Sequence, residues 1–406
     1  MNRFIFSAKL FITIGLMSII GCTTEKEKSV TLENQSASFQ LFEVLSPETT
    51  GLTFNNLINE SPAVNGVLYE YLYNGGGVAA GDFNNDGWQD LFFTSNLNQD
   101  EIYLNKGSFQ FQRVTAQAKL RGNKGFSTGV TTVDINNDGL LDIYVCKSGN
   151  YDDTELLKNE LFINLGINSD GVPTFEERAS DYGLDISDHS TQAAFFDYDR
   201  DGDLDMFLLN HGIDPAETEP NIDRLLLQKS KHSNNKLFKN NAGHFTDVSA
   251  ASGIINNSIG YGLGIAVGDL NNDHWPDMVV GMDYSEKDHL YINQKNGTFK
   301  EVIRQATNHI SNFSMGNDIG DINNDGRFDF ISVDMVSNNN YDLKTNMSGM
   351  NPQRFFDLVD RGLHHQYMFN TLQLNNGTML DDGTVPAFSD VAQITGLAKT
   401  NWSWAP

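Results

Sequence analysis

The stretch Asp82-Phe83-Asn84-Asn85-Asp86-Gly87-Trp88-Gln89-Asp90 recurs, in the same register, from Asp134 to Asp142, Asp197 to Asp205, Asp269 to Asp277 and Asp321 to Asp329. Each copy places oxygen-bearing side chains at positions 1, 3, 5 and 9: Asp82, Asn84, Asp86 and Asp90; Asp134, Asn136, Asp138 and Asp142; Asp197, Asp199, Asp201 and Asp205; Asp269, Asn271, Asp273 and Asp277; Asp321, Asn323, Asp325 and Asp329. A hard cation such as Ca²⁺ takes about six to eight oxygens at ~2.3–2.6 Å. Alternate residues of a tight loop can point inward to supply them. A backbone carbonyl at position 7 (Trp88, Leu140, Asp203, Trp275, Arg327) can add another, and the last Asp can chelate with both oxygens. Position 6 is Gly in every copy but the fourth, where His274 stands. Isolated Asp/Asn/Gly turns are common because these side chains bond their own backbone. Five copies in one register are not explained that way, and the expectation is up to five bound Ca²⁺.

The flanks repeat too. After each ninth-position Asp comes an apolar run: Leu91–Thr94, Ile143–Val145, Met206–Leu209, Met278–Val280, Phe330–Val333. A second apolar segment follows and ends at Asn105, Asn164, Asn240, Asn293 or Asn375; then comes a turn, then Phe109, Phe175, Phe245, Phe299 or Phe388. Five residues ahead of each loop stands Gly77, Gly129, Gln192, Gly264 or Gly316. The unit therefore reads strand, loop, strand, turn, strand, turn, strand. Its period is 52, 63, 72 and 52 residues, taken between first-position Asp residues. About four short strands per repeat of this size is the pattern of propeller blades. A dockerin-like or thrombospondin-like calcium array is the competing repeat. Dockerin loops lead into helices at shorter spacing, whereas these runs are β-branched and aromatic.

On these residues the repeat resembles the FG-GAP/VCBS family, whose blades carry D-x-[N/D]-x-D-G-x-x-D calcium loops as in integrin α-subunit propellers. The segment Tyr341–Asn376 and Asn401-Trp402-Ser403-Trp404 resemble Bacteroidetes surface lipoproteins with VCBS repeats, often set ahead of an ASPIC/UnbV domain similar to that of cartilage acidic protein. The resemblance spans roughly residues 51–406, without an ASPIC/UnbV segment. It implies an all-β propeller, seven-bladed in full. Ser403-Trp404-Ala405 repeats the place of Ser314-Met315-Gly316, so the register puts another loop just past Pro406 and the ring is expected to be incomplete in this chain. The fourth loop departs from the family pattern at His274 and Pro276, and is expected to bind metal most weakly.

Residues 1–21 read as a signal peptide: Arg3 and Lys9 are basic, and Leu10–Ile20 is apolar but too short to span a bilayer. Ile19-Ile20-Gly21-Cys22 fits a lipobox, so Cys22 is the expected lipidation site and residues 22–50 a polar tether. These features imply a lipoprotein held by acyl chains, and the resemblance implies that it sits in the outer membrane of a Gram-negative bacterium, facing the cell surface or the periplasm. The other cysteine, Cys146, is expected to be a buried strand residue. The formal net charge of −26 argues against nucleic acid, which needs a basic surface.

No catalytic motif is found. Gly125-Phe126-Ser127-Thr128-Gly129 matches a nucleophile elbow, but it leads into a strand and a metal loop where that motif needs a helix. Gly75-Gly76-Gly77 opens a strand and suits no phosphate cradle. His364-His365 reads as a solvated loop pair, and Trp402 and Trp404 as packing between blades. Two insertions, 212–235 and 336–367, lengthen the third and fifth repeats, the second with a short helix expected over Pro352–Arg361. The function expected is calcium-dependent scaffolding of a binding surface for a protein or glycan at the cell surface. The alternative is the non-catalytic part of an exported carbohydrate-active enzyme.

Overall fold

The computed structural model describes residues 42–212, 214–229, 232–345 and 350–406; Cys22 and the expected signal peptide lie outside the described residues. Ser46–Pro406 form one compact unit. Among its described residues are five four-stranded antiparallel sheets whose strands follow chain order. The first comprises Val78–Gly81, Asp90–Phe93, Glu101–Asn105 and Phe111–Arg113. The others start at Phe126–Val133, Ser190–Phe196, Gly262–Gly268 and Gly316–Gly320. These are propeller blades, and the all-β expectation holds. Each acidic loop joins the first strand of a blade to the second.

The apolar runs follow from burial on both faces. In the second strand of blade 2, Ile143 and Val145 pack with Phe92, Ile102 and Leu104 of blade 1. Their neighbours Tyr144 and Cys146 point the other way, onto Met206, Leu208 and Phe238 of blade 3. Successive strand side chains alternate between faces, so a strand sandwiched between two blades has no polar face to show. Phe207 and Leu209 meet Met278, Val280 and Tyr291 of blade 4, and Val279 and Leu290 meet Phe330 and Phe388 of blade 5. Cys146 is buried as expected, at 1% exposure.

The glycine five residues ahead of each loop is explained by close approach. A Cβ on Gly129 would lie 2.3 Å from the Thr191 carbonyl oxygen of the next blade. On Gly77 it would lie 3.0 Å from Thr128 O, and on Gly264 2.8 Å from Asn317 N. On Gly316 it would lie 2.5 Å from Trp404 O, so Trp404 stands to Gly316 as Thr191 stands to Gly129. The register that aligns Ser403-Trp404-Ala405 with Ser314-Met315-Gly316 is thus visible in the packing.

Three readings are corrected. Phe109 is not the Phe that opens the fourth strand of blade 1; it is exposed, with φ 56°, and Phe111 pairs with Asn105 instead. Phe175, Phe245, Phe299 and Phe388 pair with the equivalent Asn residues as expected. His364 is not solvated: it is buried beside Thr307 Oγ1 at 3.2 Å, and only His365 is exposed. The helix in the second insertion runs Pro352–Asp360, with Asn351 as its N-cap, one residue short of the expected end.

Gly129→Ala should therefore destabilise by about 1–3 kcal/mol through overpacking. Gly320→Ala, where a Cβ meets nothing within 4 Å, should be near neutral. Denaturant midpoints of the two variants check this, and equal midpoints would refute the close-approach account.

Candidate functional site

The five loops are nearly superposable in their hydrogen bonds. In the first, Asp86 N donates to Asp82 Oδ1 at 3.0 Å, Gly87 N to Asp82 Oδ2 at 2.8 Å, and Trp88 N to Asp86 Oδ1 at 3.0 Å. The same three bonds recur in the second loop with Asp134 and Asp138, in the fourth with Asp269 and Asp273, and in the fifth with Asp321 and Asp325. In the third loop, Asp201, Gly202 and Asp203 donate in the same way to Asp197 and Asp201. Asn84, Asn136, Asn271 and Asn323 each donate to the fifth-position Asp of their own loop.

Two positions take left-handed backbone. Position 6 does so with φ of 82–99° at its four glycines, and His274 is forced to 70°. Position 4 does too: Asn85, Asn137, Arg200, Asn272 and Asn324 have φ of 56–60°. The second requirement was not read from the sequence, although four of the five residues are Asn, the non-glycine type that best tolerates this region. Asn85 Nδ2 also reaches Gly139 O of the next loop at 3.3 Å, and Arg200 lies 5.4 Å from the ring centroid of Trp275.

The ninth-position Asp is a strand staple. Asp90, Asp142, Asp205, Asp277 and Asp329 are all 0% exposed. One oxygen of each accepts the N–H of loop position 2, at 3.0–3.2 Å. The other accepts the N–H of Asn105, Asn164, Asn240, Asn293 or Asn375 at 2.8 Å. That Asn explains itself by its own amide. Asn164 donates to Phe83 O of blade 1 at 2.9 Å and to Leu141 O at 3.2 Å; Asn293 and Asn375 make the same pair of bonds. Burial, then repulsion from the same loop's other carboxylates, raises Asp90 and Asp142 to about 6, Asp205 to about 7 and Asp277 to about 8.

The loops differ in what faces them. Carboxylate oxygens of Asp197, Asp199 and Asp205 lie within 4.8 Å of one another. Asp199 Oδ1 is buried without a hydrogen-bond partner. Lys239 reaches Asp199 and lies 3.0 Å from Asp201. Lys295 lies 3.2 Å from Asp273, and Arg327 2.5 Å from Asp325.

Because each loop joins a first strand to a second, the connections from second to third strands emerge at the opposite end of every blade. Both insertions emerge there and meet. Arg361 of the second donates to Asp223 of the first at 2.7 Å, and Arg354 reaches Glu219 at 3.4 Å. Ile222, Leu225 and Ile259 pack with Leu358 and Leu363 beneath them. A cleft of about 390 Å³ opens between the insertions, lined among others by Glu219, Tyr284, Asn312, Phe313, Arg354 and Gln366.

A second cavity, of about 290 Å³, is lined by inner-strand residues such as Gln192, Leu263 and Met315, with Tyr69, Tyr71 and His211. The turn Glu70–Tyr73, ahead of blade 1, ties three blades together here. Tyr69 bonds Ser148 at 2.9 Å and His211 Nε2 at 3.3 Å, and Tyr71 donates to Asp283 at 2.7 Å. Burial lowers His211 to about 3 and His189 to about 4. Nothing in the sequence marked this cluster. Ser127, by contrast, is confirmed as a strand residue: it donates to Asp100 at 3.1 Å and accepts from the buried Lys147 at 2.8 Å.

A histidine whose folded pKa is depressed stays neutral in the fold while the unfolded chain protonates. Its contribution to stability is full above about pH 6.5 and is lost as pH falls toward the folded value. His211→Gln should therefore flatten the fall in stability between pH 6.5 and pH 4 by up to about 1.4 kcal/mol per pH unit. Thermal midpoints across that range are the measurement, and parallel wild-type and variant curves would contradict the assignment.

The FG-GAP-like repeat family matches residues 82–145, 222–280 and 270–332. No curated protein matches the chain. An Agrocybe aegerita lectin that recognises non-reducing terminal N-acetylglucosamine is similar at 13% identity over 81% of this chain and 68% of its own, with TM-score 0.38. A β-1,3-galactosidase of glycoside hydrolase family 43 is similar at 10% identity over 77% of this chain and 92% of its own, with TM-score 0.36. The V. cholerae biofilm matrix protein Bap1 is similar at 16% identity over 57% of this chain and 30% of its own, with TM-score 0.29.

Proposed function

Since the chain carries FG-GAP-like repeats, we propose that it is a calcium-stiffened propeller that presents a binding face to a protein or glycan partner. The observation that carries this reading is the meeting of the two insertions on the end of the blades away from the acidic loops. Long segments displayed on a rigid scaffold are where binding concentrates. Decoration of single blades would give two independent flaps. These two instead share an apolar core and two ion pairs, and they frame a cleft.

The donor set of the loops suits calcium. The all-oxygen side chains exclude a preference for soft metals. Oxygens of Asp197, Asp199 and Asp205 within 4.8 Å of one another fit around one ion at ~2.3–2.6 Å from each, and the partnerless Asp199 Oδ1 is the kind of atom a cation satisfies. Asp82, Asn84, Asp86, Asp90 and their counterparts would hold the ions. When bound, Ca²⁺ supplies cross-linking and charge compensation and no chemistry. The protein's own part is to fix the loops through their backbone bonds. His274, held at φ 70°, supports the reading of the fourth loop as the weakest site.

Lipidation at Cys22 and attachment to the outer membrane belong to the same proposal. They rest on the lipobox and on the polar residues after it. The acidic balance supports a partner other than nucleic acid.

Binding to the native state alone stabilises by about 2.7 kcal/mol per site at a hundredfold excess over Kd. Adding EDTA to the purified chain should lower its Tm by many degrees, with calcium restoring it; an unchanged Tm would remove calcium from the reading. Asp138→Ala should lose more of the calcium-dependent stability than Asp203→Ala, since position 7 is expected to offer its carbonyl. Cys22→Ser should shift the protein from the membrane fraction to the soluble fraction or leave an uncleaved precursor. Processed Cys22→Ser protein that stays on membranes would contradict lipidation.

A further inference from the structure

The cleft between the insertions contains a buried acceptor that the protein does not satisfy. Gln366 is 2% exposed. Its Nε2 donates to Leu363 O at 2.9 Å and Ser285 O at 3.1 Å, which fixes which end of the amide is oxygen. Oε1 then has no hydrogen-bond partner. Groups of this kind in a native fold call for a ligand, an ion or water as the missing partner.

The surroundings restrict that ligand. An ionised carboxylate or sulfate group has no proton to give Oε1, and the chain's net charge of −26 opposes the approach of an anion. The one guanidinium among the described lining residues is engaged: Arg354 contacts Glu219 at 3.4 Å, Ser285 Oγ at 3.1 Å and Asn312 Oδ1 at 3.3 Å. The Glu219 carboxylate, which also takes the Ser285 hydroxyl at 2.5 Å, is matched to Arg354, so the cleft offers no unbalanced charge to a cation. What remains is a neutral group that both donates and accepts. Beside it stand aromatic rings: Tyr284 and Phe313 lie edge to face at 6.4 Å, and Arg354 covers Phe313 at 5.8 Å from the ring centroid. A hydroxyl-rich ring with one apolar face matches both features. The volume of about 390 Å³ is within the ~300–1,000 Å³ usual for small-ligand sites.

We propose that this cleft is a subsite for a neutral pyranose residue of a glycan, with a sugar hydroxyl donating to Gln366 Oε1, Glu219 and Arg354 orienting the ring's other hydroxyls, and Phe313 packing against its apolar face. The proposal rests on the binding-face reading above and names its ligand class.

The test uses the full chain with calcium. A glycan array of neutral, sialylated and sulfated glycans would be followed by calorimetric titration of the neutral hits. Neutral glycans should bind, and Phe313→Ala and Arg354→Ala should each weaken them by about tenfold or more, with Tm in calcium close to wild type. If Phe313→Ala fails to fold, Phe313→Leu, which keeps the volume and removes the ring, takes its place. Neutral glycans that bind with unchanged affinity to the cleft variants would overturn the subsite and leave the binding-face reading standing. Selective binding of acidic glycans would overturn the ligand class. Absence of any glycan binding, together with capture of a protein partner that the cleft variants lose, would overturn the sugar assignment and preserve the broader reading; absence of both would overturn both.

Discussion

Everything in this fold leans on a buried carboxylate. The ninth-position Asp of each loop is withdrawn from water and accepts one N–H from its own loop and one from the third strand of its blade. Burying a carboxylate is unfavourable unless hydrogen bonds compensate it. The raised pKa values of Asp90, Asp142, Asp205 and Asp277 register that tension. The staple fixes loop to sheet, and on three of these carboxylates the sheet-end Asn (Asn164, Asn293 and Asn375) also fixes blade to blade through the position-2 carbonyl of the preceding blade. Burial, more than repulsion from the loop's other carboxylates, holds these pKa values up.

Between blades, the constraint is space. A strand covered on both faces must be apolar on both, which is why Ile143-Tyr144-Val145-Cys146 carries no polar residue. Inner strands approach so closely that the position ahead of the loop is glycine in four repeats. The third repeat shows how the rule can be broken. Gln192 has a side chain there, and its Oε1 would meet a Cβ on Gly129 at 2.0 Å, so glycine in one blade makes room for glutamine in the next.

What could be read in advance follows from range. The loops and strand runs are local patterns, and their spacing alone identified the blade. The register of Trp404 against Gly316 also followed from counting. Phe109 was misplaced because two Phe residues bracket Gln110, and only the pairing of Asn105 with Phe111 chooses between them. The left-handed backbone at position 4 was legible in Asn85, Asn137, Asn272 and Asn324, but Asx residues are so common in turns that the signal merged with the motif. The burial of His364 and the meeting of Asp223 with Arg361 depend on contacts across more than fifty residues, which no window of sequence contains.

The two ends of the blades differ in how much of each connection repeats. At the loop end, five near-identical turns repeat one set of bonds, and the fourth keeps its strand staple despite His274 and Pro276. At the other end a staple also recurs, with Asp100, Asn159, Asn235, Asp288 or Asn370 accepting an N–H from the end of the second strand at 2.7–3.0 Å, but the connections it closes differ in length and chemistry from blade to blade. Insertions can grow there at little cost to the core, because each doubling of loop length costs only about 0.6 kcal/mol in closure entropy. Once two of them pack on Leu358 and Leu363 and pair Glu219 with Arg354, they cease to be loops in the energetic sense. Their shape then follows from where blades 3 and 5 place the strands that the insertions join. Rigidity is thus generated where the sequence repeats and is used where it does not.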